Sequence, residues 1–415
     1  MNRFSGSLFV PPLLATTVFV FVSYGAQWRG QWNWTIDTIT GSTVLTGPLT
    51  AALGAYLAVG QRRIAALSDS APLGWLVPYR VGLQALMLSS VVYVAGAAGA
   101  LLVTALGTHG GPISWWALII GFPVLGVCAL FGAAVGHWWP YRVTVLVVAP
   151  VVFLFGAFGP HPAADLLRHG PETGSLAGLA FDEQVWSAQV AALVAAGCCL
   201  AASVLPWRDP GNTIVRLSVA GVSVVGLVAA LVAADQVGTE RFVASDERPT
   251  ACAGSRPRVC LAPSDRTELV RAARAMDRAA AVLAAGGVAV PDVYEELLPG
   301  YQPPVGVGMT GRSSGFQDGD ELRSGAANLT VPSACPAWTD PALPPPDPAF
   351  DARMLITEWI VLRGGGTPAP FSHESQVWLT KVEGQDANAW VTVTFAALRA
   401  CDLESIRLPW QTTAS

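Results

Sequence analysis

Seven apolar stretches constrain this chain more than any other feature: Leu8 to Tyr24, Thr43 to Gly60, Leu83 to Leu106, Trp115 to Gly136, Val143 to Gly159, Ala188 to Leu205 and Leu217 to Ala234. A helix needs about 20 mostly apolar residues to cross a hydrocarbon core roughly 30 Å thick. In lipid an isolated segment must also satisfy its own backbone hydrogen bonds, which a helix does. The expectation is an all-α polytopic bundle of about seven spans in residues 1–236, followed by an α+β extracytoplasmic domain in residues 237–415. The first stretch contains Pro11-Pro12 and no small-x-small cleavage site, so it reads as a retained helix rather than a signal peptide.

Charge separates the same two parts. Only 13% of the 415 residues are charged, about half the fraction of ordinary soluble domains. Residues 1–235 carry nine Arg and eight acids, whereas the remainder carries 15 basic and 21 acidic groups, giving net charges of +1 and −6. With Lys381 as the single lysine and no basic run, nucleic acid is excluded as a partner. The bias to Ala, Gly, Val and Arg points to a bacterial plasma membrane.

Orientation follows from arginine placement, since short cytoplasmic loops retain positive charge. Arg3, Arg62, Arg63, Arg80, Arg142, Arg208 and Arg216 share one side if the N-terminus is inside, with only Arg29 and Arg168 on the other, and Asp37, Asp165, Glu172, Asp182, Glu183 and Asp235 lie outside against Asp69 and Asp209 inside. The C-terminal part is then outside. Trp28, Trp32, Trp34, Trp115, Trp116, Trp138, Trp139, Trp186 and Trp207 sit near span ends and read as interfacial anchors. The spans carry essentially no charged residue, which speaks against an ion-driven carrier.

In the outer part, Cys252, Cys260, Cys335 and Cys401 suggest two disulfides, as exported cysteines commonly do. Three connectivities are possible. The short loop between Cys252 and Cys260 favours that pair, with Cys335 then joined to Cys401, over free or metal-binding thiols. Zinc is disfavoured because Cys-x-x-Cys spacing and a nearby His are missing. Arg258 to Ala262 reads as a strand. A helix from Ser264 to Ala285 follows, with Leu269, Ala272, Ala273, Met276, Ala280 and Leu283 on one face and Gly286-Gly287 as its stop. Further helices are expected near Ala352 to Leu362 and Ala389 to Ala400, and a strand-like run at Gln376 to Val382.

Catalytic patterns are missing. His373-Glu374 lacks the second His of a helical zinc site, Gly311-Arg312-Ser313-Ser314-Gly315 has the wrong spacing for a serine nucleophile elbow, and Asp318, Asp320 and Glu321 lack the closing Glu of a calcium loop. The expectation is a protein that is not an enzyme and has neither metal nor cofactor.

Between the second and third stretches lies an arginine-bracketed amphipathic segment, Gly60 to Arg80, in which Ile64 and Leu67 can share a helical face and Ser70 before Pro72 marks a break. This segment resembles the first cytoplasmic loop of ABC-2-type permeases. The stretch Cys252 to Leu297 looks like the exported C-terminal domain of actinobacterial ABC-2-like membrane proteins. The family's glutamate-glycine pattern is replaced here by Ser68-Asp69-Ser70. The resemblance implies a permease-like subunit that forms homo- or hetero-dimers in the lipid bilayer, with Gln61, Arg62, Arg63, Ile64, Leu67, Asp69 and Arg80 docking a separate ABC ATP-binding subunit. The chain has no Gly-rich phosphate loop, so ATP would be hydrolysed by that partner. The competing expectation is a scaffold or sensor whose outer domain binds a ligand or partner protein.

Overall fold

The computed structural model describes residues 7–23, 28–62, 77–107, 110–111, 113–158, 176–204, isolated positions within 214–232, and 241–412 apart from 305, 312–319, 333–334, 340–344 and 382–384. The chain divides into two compact units: Met1–Gly107, Pro112–Thr173 and Ala180–Val243 form the first, and Thr108–Gly111, Gly174–Leu179 and Ala244–Ser415 the second.

The first unit is helical: α1 (Val10–Ser23), α2 (Trp32–Gly41), α3 (Thr43–Arg62), α4 (Val77–Leu106), α5 (Trp115–Ile119), α6 (Gly121–Trp138), α7 (Arg142–Phe158) and, after the short strand β1 (Leu179–Phe181), α8 (Glu183–Ser203). Among the described residues four helical segments are long and apolar enough to cross a membrane: Trp32–Gln61, Tyr79–Leu106, Trp115–Trp138 and Glu183–Ser203. The expected seven are not all supported. Helix α1 has 14 residues and α7 has 17, both short of the usual span. The seventh stretch lies partly outside the described residues, and its described positions from Leu217 to Val232 are helical.

The second expected span is also longer than its apolar run. Helix α2 leads through Ser42 into α3, so the crossing segment starts at Trp32 instead of Thr43. Glycines set the closest packing in this unit. A Cβ at Gly132 of α6 would overlap the Ala51 carbonyl of α3, and one at Gly136 would come within 2.7 Å of the Ala55 oxygen. Small residues one turn apart let the two backbones approach without intervening side chains.

The short strand β2 (Phe242–Ala244), mostly within the first unit, pairs with β1; the second unit then has β3 (Ala251–Ala253), β4 (Arg258–Leu261), α9 (Leu269–Ala285), β5 (Val293–Glu296) and β6 (Gly308–Thr310). Strands β3 to β6 form one sheet in that order, antiparallel between β3 and β4 and parallel thereafter. Helices α10 (Glu321–Leu329), α11 (Pro336–Thr339), α12 (Asp347–Arg363), α13 (His373–Lys381), α14 (Gln385–Arg399) and α15 (Pro409–Thr412) complete it. All six residues expected on the apolar face of α9 are buried. They share a core with Val259, Leu261, Tyr294, Trp359 and Phe395. Two local expectations change. Gln376 to Val382 falls largely in helix α13 rather than in a strand, and Ser264 sits in a 3-10 turn, Pro263–Asp265, ahead of α9 instead of opening that helix.

Candidate functional site in the helical bundle

Helix α2, with the sequence Trp-Asn-Trp-Thr-Ile-Asp-Thr-Ile-Thr-Gly, is buried at every position from Asn33 to Gly41. An apolar helix buried on all sides is ordinary. This one carries Asn33, Thr35, Asp37, Thr38 and Thr40, and the exposure of Thr35, Asp37, Thr38 and Thr40 is zero. Burying polar groups in this way costs free energy unless each is hydrogen-bonded. A charged carboxylate at the centre of a membrane helix costs at least about 2.5–3.5 kcal/mol on insertion scales. Asp37, expected in an outer loop, is instead part of the crossing segment, which corrects the reading of uncharged spans.

The hydroxyls are satisfied mainly by their own helix. Thr38 donates to the Trp34 carbonyl at 2.9 Å, Thr40 to Ile36 at 3.1 Å, Ser42 to Ile39 at 2.6 Å, Thr43 to Thr40 at 2.7 Å and Thr46 to Ser42 at 3.0 Å. Such bonds to a carbonyl one turn back let Thr and Ser sit inside a helix without an external acceptor. Two polar bridges then join this segment to α4: Thr35 Oγ1 lies 2.7 Å from Thr104 Oγ1, and Thr50 Oγ1 donates to Ser89 Oγ at 2.8 Å. Trp34 differs: its indole is 3% exposed, and its Nε1 donates to no acceptor among the described residues.

Neighbouring helices close the site. Ile36 packs with Ala117, Ile120, Val124, Trp186 and Leu193. Gln189, 1% exposed, lies between Trp186 and Leu193 on the same face of α8. Trp28, Trp34 and Trp186, expected as interfacial anchors, are 3%, 3% and 7% exposed and belong to the interior, whereas Trp115, Trp116, Trp138 and Trp139 are exposed. An indole at a span end suits either place, so position along the sequence could not separate the two.

Of the expected docking residues, Gln61 is half-buried near the end of α3, Arg62 is its last residue, and Arg80 is exposed in the first turn of α4. Arg63, Ile64, Leu67 and Asp69 lie outside the described residues. In the second unit Cys252 is bonded to Cys260 and Cys335 to Cys401. The first bond joins directly opposed residues of β3 and β4.

The polar groups of the second unit have structural duties. Glu247 accepts from the Gly178 N–H at 3.0 Å, the Ser264 N–H at 2.9 Å and the Ser264 hydroxyl at 3.0 Å. Arg323 holds Glu358 through two bonds of 2.8 and 3.1 Å, tying α10 to α12, and hydrogen bonding to Glu358 raises its pKa further. Asp320 caps α10 by accepting from the Arg323 N–H, so it is occupied by the helix terminus rather than by a calcium loop. Among the described residues no group of three or more His, Cys, Asp or Glu side chains could hold a metal ion.

No family model, curated protein or solved structure matches this chain. The functional argument therefore rests on the site itself. The sequence signal for that site is the run from Trp32 to Thr50, where Thr, Ser, Asn and Asp interrupt hydrophobicity without a helix-breaking residue before Gly41.

Proposed function

We propose that this chain is a permease-like membrane subunit whose polar helix α2 forms part of the route or binding site for its solute. The observation that carries the reading is the complete burial of Asn33 to Gly41 together with Asp37. A bundle that only anchors an outer domain needs a lipid-compatible surface and an apolar interior; polar side chains held inside at a cost mark a functional requirement.

The composition of the second unit supports the topology. Thr108–Gly111 and Gly174–Leu179 belong to the same unit as Ala244–Ser415, which supports a reading with all three on one side of a membrane. Between the first two lie α5, α6 and α7, and between the last two lie α8 and the helical positions after Ile214. On that reading α7 and the apolar Leu217 to Ala234 stretch would return the chain, giving an even number of crossings in each interval. That reading has about seven spans, with the N-terminus inside and the second unit outside a bacterial plasma membrane.

Energy would come from a separate ATP-binding subunit docked on the Gln61 to Arg80 segment, with two bundles paired in the assembly. The test is purification of the tagged full chain from its native membranes in mild detergent. ATPase activity should copurify and be lost when Arg62 and Arg63 are both replaced by Ala. Absence of a nucleotide-binding subunit from the wild-type preparation, or its retention by the double variant, sinks the ATP-driven reading.

A further inference from the structure

We infer that the turn between α6 and α7, together with the outward face of α7 beneath it, binds an anionic phospholipid. The inference requires the first unit to lie in a membrane and does not depend on transport.

Helix direction gathers the basic residues of this unit at one end. Gly132 and Gly136 of α6 meet Ala51 and Ala55 of α3 in the same order, so the two helices run parallel and finish together, at Trp138 and Arg62. Gly82 of α4 meets Leu130, whereas Gly121 of α6 meets Tyr93, so α4 runs the opposite way and begins at that end, near Arg80. The Tyr79 hydroxyl donates to the Ala201 carbonyl at 2.8 Å, which brings the close of α8 there too. Arg142 opens α7 just beyond Trp138. The described acids of the unit, Asp37, Asp182 and Glu183, lie at the opposite end, in α2 ahead of α3 and at the start of α8. Among the described residues the first end therefore carries arginines and no carboxylate.

The turn is fixed and open to a ligand. The Trp139 carbonyl accepts from the Tyr141 N–H at 2.8 Å and from the Thr144 hydroxyl at 2.7 Å. Trp138, Trp139, Tyr141 and Arg142 are exposed, and among the described residues no carboxylate pairs with the Arg142 guanidinium. Indole and phenol rings favour headgroup depth, and a guanidinium matches a phosphate through paired N–H bonds. Below the turn Val143, Leu146, Val147, Val151, Leu154 and Phe155 form an exposed apolar stripe on α7. At 1.5 Å per residue it runs about 18 Å, which covers the roughly 15 Å of hydrocarbon in one leaflet. A headgroup at Arg142 thus has its acyl chain alongside that stripe.

Side-chain size and charge favour lipid over a second copy of the chain. Helices packed on one another in a membrane meet through small residues, as α6 meets α3 at Gly132 and Ala51, whereas this stripe is built of Val, Leu and Phe. A second copy has the same orientation in the membrane and would bring Arg142 toward another Arg142. An anionic headgroup complements that charge, and one basic residue at such a surface contributes about fivefold in affinity.

Thermal unfolding of the purified full chain in mild detergent tests this, with phosphatidylglycerol, phosphatidylcholine of the same acyl chains, or glycerol phosphate added. Phosphatidylglycerol should raise the midpoint saturably, because a ligand of the folded state stabilises it, and the other two should not. Arg142→Ala should weaken the apparent affinity about fivefold, Arg142→Lys should largely restore it, and Arg29→Ala, near the opposite end, should leave it unchanged. Equal gains with both lipids, a gain with glycerol phosphate, or an affinity untouched by Arg142→Ala overturns the proposal. If Arg142→Ala yields no folded protein, a phosphatidylglycerol with a photoactivatable diazirine in its headgroup decides on the wild type. Labelling between Trp138 and Arg142 is expected, and labelling confined to other segments overturns the site. Leu146→Cys chains that become disulfide-linked to one another in membranes also overturn it, by making a second copy the occupant. No partner subunit enters these measurements, so failure of the ATPase reading and failure of the lipid site are separately visible.

Discussion

Thr35 of α2 and Thr104 of α4 meet hydroxyl to hydroxyl at 2.7 Å, and neither side chain has any exposed surface. Their bond joins two helices inside an apolar bundle, where a lost partner cannot be replaced by bulk water. Replacing either residue by Val should destabilise the protein by about 1–2 kcal/mol, and replacing both should cost less than the sum of the two. Unfolding in detergent, analysed as a double-mutant cycle, measures the coupling. Strict additivity would show that the bridge contributes nothing.

Gly132 faces the Ala51 carbonyl so closely that any side chain must push α3 and α6 apart. Gly132→Leu should abolish recovery of folded protein or lower the unfolding midpoint severely, since overpacking against backbone costs more than the usual 1–3 kcal/mol. Gly99→Ala is the control, because a Cβ there meets nothing within 4 Å. A small gain from improved helix propensity is expected in that variant. Comparable recovery of the two variants would contradict the packing described here.

In the second unit Glu247 gathers two backbone N–H groups and one hydroxyl onto one carboxylate. Glu247→Gln keeps the shape but supplies one acceptor oxygen instead of two, so at least one of these bonds is lost. Each charged hydrogen bond contributes about 1.5–3 kcal/mol. Faster amide hydrogen exchange at Gly178 and Ser264, beyond that of the α9 core, is the expected readout. Unchanged protection at both amides would remove Glu247 from this role.

The two disulfides close loops of different length, with sequence separations of 8 and 66 residues. On the chain-entropy account the shorter loop stabilises by about 2.5 kcal/mol and the longer by about 4 kcal/mol. Replacing Cys335 and Cys401 by Ser should therefore lower the unfolding midpoint of the second unit more than replacing Cys252 and Cys260. Calorimetry of the two double variants distinguishes the order, and the reverse order would mean that native-state contacts, rather than loop entropy, govern these bonds.

Tyr301 donates its phenolic hydrogen to Glu295, while Arg248 lies over its ring. Desolvation, followed by the hydrogen bond to Glu295 and the charge of that carboxylate, pushes the phenol up to about 12 against a smaller opposing effect of Arg248. A folded-state pKa above the unfolded one means that the stabilisation is fully present below the ordinary tyrosine range near 10 and is lost as pH rises through about 12. Tyr301→Phe should lower stability at neutral pH and flatten its decline in that alkaline window. Identical stability profiles for the two proteins between about pH 9 and pH 12 would refute the link.

How much of this was legible depends on what each residue's neighbours do. The face of α9 was readable because Leu269, Ala272, Met276, Ala280 and Leu283 recur with helical spacing, and a helix lying on a sheet has one buried side. The cysteine pairing was readable as the favoured of three because a short loop brings Cys252 and Cys260 together locally. Helix α13 was misread as a strand, since Val377, Trp378, Thr380 and Val382 are β-branched or aromatic residues that favour strands, while its packing on α12 is set by the tertiary structure. Helix α2 was missed as part of a crossing segment for a related reason. Asn33, Thr35, Asp37, Thr38 and Thr40 look like loop residues until other helices surround them.

The amino-acid sequence by itself determined that this chain has apolar stretches of membrane-crossing length, a more highly charged C-terminal part with four cysteines, and a charge pattern that sets the two apart. Those properties follow from local hydrophobicity, spacing and composition. Only the tertiary structure decided that Thr108–Gly111 and Gly174–Leu179 fold with the C-terminal residues, and that Asp37 is buried within the first unit. Burial of a polar side chain is a property of the helices packed around it, Thr104 of α4 and Trp186 of α8 among their residues. No local pattern around Asp37 encodes which neighbours will arrive.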